Sequence, residues 1–253
     1  MKFARFLTKE KTVHVGWINE DRVGIVEGDI FGEYRRLEST LPLKSVTLLP
    51  PVEPGKIICL GRNYIEHAKE QGAEVPESPM MFLKAQTSVI ADRENIILPI
   101  QSQQVEHEAE LVVVVGKKGR WISVEQAMDH VFGFTIGNDV TARDLQQKDG
   151  QWTRSKGFDT FCPVGPWIET EIDPSDMLIT CRVNSELRQM ASTREMVFTV
   201  PQIVAYISTV MTLLPGDLIF TGTPAGIGPL VNGDEVEIEI EGIGILRNSV
   251  ISS

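Results

Sequence analysis

The sequence predicts an α+β protein that is mainly β, built on mixed sheets in a sandwich-like or barrel-like arrangement with a few helices on the outside. Three observations predict it. Short β-branched and aromatic runs outnumber helical patterns. Strands and helices do not alternate regularly, as a doubly wound parallel sheet would require. Val112-Val113-Val114-Val115 is too apolar to face water on either side, so at least one strand is central.

Along the chain, residues 2–7, 13–18 and 22–27 read as short strands separated by Gly and Asp turns. Pro50, Pro51 and Pro54 then interrupt any regular element and mark a linker. This predicts a small β-rich N-terminal domain over 1–50 and a main domain over 51–253. Beyond the linker, 56–60 is a strand and 64–70 has helical composition. Further strands are expected at 110–115, 132–136, 178–183, 217–221 and 236–240. The best amphipathic helix is 200–213, with Pro201 suited to its first turn.

The 253 residues are 42% hydrophobic and 23% charged, ordinary for a globular chain and without an apolar run able to span a bilayer. The apolar start is broken by Thr8, Lys9, Glu10 and Lys11 before a signal-peptide core could form, so a cytoplasmic setting is expected. A net charge of −11 repels a polyphosphate backbone, which argues against nucleic acid. Cys59, Cys162 and Cys181 are far apart and odd in number, so they are expected to be small buried hydrophobes, not a disulfide framework or a zinc site.

Several catalytic devices are absent. His107-Glu108-Ala109-Glu110-Leu111 begins like a zinc-protease helix but lacks its second histidine. There is no G-x-S-x-G elbow, and the glycine-rich stretch 221–228 has neither a phosphate-loop ending nor dinucleotide spacing. Carboxylates remain. Glu106, Glu108 and Glu110 alternate at the entry to the valine run, which places all three on one strand face. Like charges there repel unless a cation or solvent compensates, and oxygen-only ligands suit a hard divalent ion. The alternative is a solvated sheet face, of which Glu235, Glu237, Glu239 and Glu241 are the example in this chain. Asp139, at the end of a strand, is a second acidic candidate or a helix cap. His67 and Glu70 lie three apart on a helix, so Glu70 can orient His67 as a general base or the pair is surface decoration.

Taken in order, Gly61-Arg62-Asn63-Tyr64-x-x-His67-x-x-Glu70, Phe82-Leu83-Lys84, Glu108-x-Glu110-Leu111, Asp139-x-Thr141-Ala142-Arg143-Asp144-x-Gln146, Trp152-Thr153-x-x-Lys156-x-Phe158 and Thr221-Gly222-Thr223-Pro224-x-Gly226-x-Gly228 resemble the fumarylacetoacetate hydrolase family from about residue 56 onward. The resemblance implies a mixed β-sandwich roll, a homodimer and a catalytic Mg2+ or Mn2+. It makes Glu108, Glu110 and Asp139 the metal ligands, His67 and Glu70 a water-activating dyad on a mobile lid, and Lys156 a catalytic cation. Gln146, Thr223 and, more distantly, Arg62 would contact substrate. Glu106 stands where relatives often carry another polar residue, and its role stays open.

The activities implied are hydrolysis of a C–C bond in a small 2,4-dioxo acid of acylpyruvate or fumarylpyruvate type, decarboxylation of oxaloacetate, or 2-hydroxyhepta-2,4-diene-1,7-dioate isomerisation in aromatic catabolism. A non-catalytic carboxylate-binding or metal-sensing module is the alternative from another class. Such a binder needs the ligands but not the base.

Overall fold

The computed structural model describes residues 1–253. Three sheets form it. The largest runs from the N-terminal strands Arg22–Gly28, Val13–Asn19 and Lys2–Leu7 into Cys162–Glu169, Val131–Asn138, Ala109–Val115, Leu218–Phe220, Ile57–Gly61 and Met80–Lys84. Lys2↔Glu169 and Phe3↔Ile168 join the first strand to the rest. A five-stranded sheet orders Asn95–Leu98, Gly244–Ser252, Glu235–Ile240, Leu178–Val183 and Glu186–Ser192. A small third sheet pairs Thr141–Ala142, Val105–His107 and Gly228–Pro229. The mainly β, mixed-sheet expectation holds.

Strand Ala109–Val115 is buried at every position, as its continuous apolar run requires. Its two faces feed different cores. Leu111, Val113 and Val115 pack in the larger one with Ile179, Ile203 and Ile238, while Val112 and Val114 pack with Ile57, Cys59, Cys162 and Leu218. By the two-residue period, Glu110 shares the second face, so its carboxylate lies at the end of this smaller core. The three cysteines are free and buried, as expected. No helix is long and apolar enough to cross a membrane.

Three expectations need correction. The stretch from Glu106 to Glu110 is not one continuous strand: it breaks at Glu108 between Val105–His107 and Ala109–Val115, which belong to different sheets. The break is stabilised locally, because the Glu108 N–H donates to Asn138 Oδ1 at 2.9 Å and its carbonyl accepts from the Asp139 N–H at 2.9 Å. Asp139 does not cap a helix, since the next one spans Arg143–Asp149 and starts after Ala142. The helix expected over 200–213 is Val200–Val210; the chain beyond it turns away so that Leu213 and Gly119 exchange backbone hydrogen bonds.

Candidate active site

Glu108, Glu110 and Asp139 converge. Their ligand atoms lie within 4.8 Å of one another, and all three residues are buried. The break at Glu108 turns that carboxylate toward Asp139, which follows strand Val131–Asn138. Glu106 is carried off into the small sheet and does not join them.

The repulsion expected among these acids is answered by cations that local pattern did not announce. Lys156 Nζ bridges Glu108 Oε2 at 2.7 Å and Asp139 Oδ2 at 2.6 Å. Lys84 Nζ donates to Asp139 Oδ1 at 2.6 Å. Arg143 donates to Glu108 Oε1 through Nη2 and to Glu106 Oε2 through Nε, the latter at 2.7 Å. Burial alone would push the Glu108 carboxyl up, but Lys156 and Arg143 hold it below the usual carboxylate range. Burial likewise disfavours the Lys156 charge, and Asp139 with Glu108 outweighs it, so its pKa stands above the ordinary lysine value.

Glu110 has no such cation. Burial, then the charges of Asp139 and Glu108, push its carboxyl well above the ordinary glutamate value. Its Oε2 accepts from the Gly222 N–H at 2.6 Å, while Oε1 is buried without a hydrogen-bond partner. Gly222 is required for that contact: its φ is +96°, and a Cβ would stand 2.7 Å from Asn63 Cβ. Three carboxylates with one oxygen left unsatisfied form a donor set that fits a hard divalent cation such as Mg2+ or Mn2+.

His67 sits on the short helix Ile65–Glu70 and is 3% exposed, so it is not surface decoration. Its Nδ1 lies 3.2 Å from Glu70 Oε2 and its Nε2 lies 3.1 Å from Gln71 Nε2. A carboxylate can only accept and an amide NH2 can only donate, so Nδ1 carries the proton toward Glu70 and Nε2 accepts from Gln71. The other Glu70 oxygen accepts from the Gly226 N–H at 3.0 Å, tying the helix to the loop that bears Thr223. At its base the segment is held by Asn63, whose amide bonds Phe198 N–H, Phe198 O and Thr221 O.

His67, Glu108, Lys156 and Thr223 line an inner cavity that opens to an outer cleft; Arg62, Gln71, Gln146 and Trp152 line both. Arg62 Nε is buried without a partner, and the residue holds a left-handed φ of +57° just past its strand. Gln146 Oε1 accepts from Arg143 Nη1. The Thr223 hydroxyl donates to Ala109 O at 2.9 Å and accepts from Gln189 Nε2 at 2.8 Å.

Sequence reasoning passed over Lys84, Arg143 and Gln189. Lys84 and Arg143 lie inside the motifs that carry the family resemblance, and the signal that could have marked Lys84 is its place at the end of the apolar run Met80-Met81-Phe82-Leu83. Nothing local marked Gln189, which also accepts from the Ala109 N–H at 3.1 Å and lies 3.0 Å from His107 Nδ1.

Comparison with known proteins follows the same lines. Residues 56–251 match the family described as Fumarylacetoacetate (FAA) hydrolase C-terminal, and residues 1–51 match the one described as Rv2993c-like, N-terminal. An uncharacterized protein of Methanocaldococcus jannaschii is 55% identical over 79% of this chain and 84% of its own length. The mitochondrial oxaloacetate tautomerase FAHD2B of Bos taurus is 46% identical over 83% of this chain and 71% of its own. The crystal structure of 5-carboxymethyl-2-hydroxymuconate delta-isomerase from Mycobacterium smegmatis superposes with a TM-score of 0.94 at 41% identity, covering 100% of both chains.

Proposed function

The chain belongs to the fumarylacetoacetate hydrolase family, and on that premise we propose that it is a divalent-metal-dependent enzyme that hydrolyses a C–C bond of a small 2,4-dioxo acid. One observation carries this reading: a buried three-carboxylate set reaches, through Glu108, the cavity that a carboxylate-oriented histidine also lines. Mg2+ or Mn2+ held by Glu108, Glu110 and Asp139 would supply Lewis-acid polarisation of the 2-oxo acid's carbonyl.

The chain's own residues do the rest. His67 Nε2 takes a proton from water attacking the distal carbonyl, with Glu70 holding the imidazole in the right tautomer and stabilising its charged form. Gln71 sits against that nitrogen, so its amide must swing aside to admit the water. The bond between C3 and the distal carbonyl carbon then breaks, its electron pair stays with C3, and a proton returned to C3 completes the pyruvate-like product. Lys156 donates to the oxygen on which charge develops, in a site from which water is largely excluded. Gln146 and the Thr223 backbone N–H hold the carboxylate of the substrate, since the Thr223 hydroxyl proton is committed to Ala109 O. Arg62 takes the distal part. Glu70 bonded to Gly226 holds the lid down, and opening it frees the cavity. A homodimer in the cytoplasm belongs to the same proposal.

A second reading is favoured by the relatives named as a tautomerase and an isomerase: a proton moves at C3 of a 2-oxo acid and no water attacks. Oxaloacetate decarboxylation shares that lack of an attacking water. The test is the ratio of acylpyruvate hydrolysis to oxaloacetate decarboxylation or tautomerisation in His67→Ala. General-base assistance is worth ~10² to 10⁴ in rate, so hydrolysis should fall by that factor and decarboxylation much less. Lys156→Ala should damage both. Equal losses in His67→Ala would give the leading place to proton transfer at C3.

A further inference from the structure

Glu106 has no part in the chemistry above, yet it is only 6% exposed and both its oxygens are engaged. Oε1 accepts from Gln104 Nε2 at 2.5 Å and Oε2 from Arg143 Nε at 2.7 Å. It lines the outer cleft but is no member of the ligand triad. We propose that Glu106 is a positioning residue which, through Arg143, fixes the side-chain amide of Gln146 with its NH2 facing the substrate.

The guanidinium of Arg143 is planar, so fixing Nε at Glu106 sets where its other two nitrogens point. One reaches Glu108 Oε1 and the other Gln146 Oε1. An amide has one accepting and one donating end. With the carbonyl end of Gln146 consumed by Arg143, the donating end remains, and it finds no protein partner although the residue lines both cavities. A donor there suits an anionic substrate oxygen and repels nothing. Without the acid at 106, the guanidinium is free to turn both terminal nitrogens onto Glu108, and the amide is free to flip. The break of the strand at Glu108 makes the relay possible, because it separates Glu106 from the triad and sets it against helix Arg143–Asp149.

The inference rests on this cavity being the substrate site, so its test includes a readout that needs no substrate. In Glu106→Leu, the KM for the best 2-oxo acid, and the Kd for oxalate with Mg2+ present, should rise about tenfold, the worth of one charge-assisted hydrogen bond. The kcat and the affinity for Mn2+ alone should stay within about threefold. Glu106→Gln, which can still accept from Arg143 Nε, should restore KM. In a Gln146→Ala background, Glu106→Leu should add nothing. By NMR, the Arg143 Nε–H and Gln146 side-chain amide signals should move in Glu106→Leu and stay in Glu106→Gln.

Unchanged KM and unchanged NMR signals would overturn the relay. So would a joint fall of Mn2+ affinity, kcat and melting temperature, which would make Glu106 structural. If the wild type neither turns over a 2-oxo acid nor binds oxalate, the proposed function fails on its own. The two NMR signals then decide the relay.

Discussion

Glu106, Glu108 and Glu110 in one stretch, and Glu235, Glu237, Glu239 and Glu241 in another, obey the same every-second-residue rule and meet opposite fates. The first three are 6%, 4% and 0% exposed. In the second stretch Glu235, Glu239 and Glu241 are exposed and Glu237 is half-buried beside Arg247, while Val236, Ile238 and Ile240 go into the core. Alternation fixes which side chains share a face, and what that face packs against decides whether an acid meets water. Strand Glu235–Ile240 offers one face to the larger core and leaves the other wet. The strand after Glu108 is buried on both, so its acids have nowhere to go but inward, where only cations or a proton can answer them.

The sharpest way to break this comparison is to neutralise one acid from each stretch. Glu110→Gln and Asp139→Asn should lower metal-dependent turnover by at least ~10³-fold, since the site loses both a ligand and charge where the substrate is polarised. Glu235→Gln and Glu239→Gln should leave it unchanged. Comparable losses in both stretches would mean that overall charge, not the buried triad, governs activity.

Smaller, but more discriminating, is the effect on stability in chelator. The three acids are not equivalent without a metal ion: Glu108 and Asp139 have cationic partners and Glu110 has none. Glu110→Gln should therefore raise the melting temperature, by ~2–4 °C for each kcal/mol of relieved repulsion in a chain of this size. Glu108→Gln should lower it, because Arg143 and Lys156 lose a buried partner, a change typically worth ~3–5 kcal/mol. Glu239→Gln should do neither. The same shift in Glu108→Gln and Glu110→Gln in thermal melts would contradict the pairing described.

Much of this was legible in the sequence, for identifiable reasons. Strands such as Leu178–Val183 and Lys2–Leu7 were readable because β-branched and aromatic runs bounded by turn residues carry their own period. The carboxylates and the His67–Glu70 pair were readable because residue type and short spacing are local facts. Lys156 was readable only through the family resemblance, and two further cations that balance these acids were not: Lys84 lies 55 residues from Asp139, and Arg143 lies 37 from Glu106. Nothing in a one-dimensional pattern says which lysine meets which acid. The strand break at Glu108 was hidden for the same reason, because the groups that satisfy its backbone come from Asn138 and Asp139. Without that break, period-two counting wrongly kept Glu106 beside the other two.

The claim on which everything else depends is that the buried triad, and not the exposed glutamate strand, holds a divalent cation. Calorimetric titration of chelator-treated protein with Mn2+ tests it directly. One strong site per chain is expected, lost in Glu110→Gln and in Asp139→Asn and retained in the Glu235→Gln/Glu239→Gln double variant. Retention of that site in both triad variants, or its loss in the double variant, would contradict it.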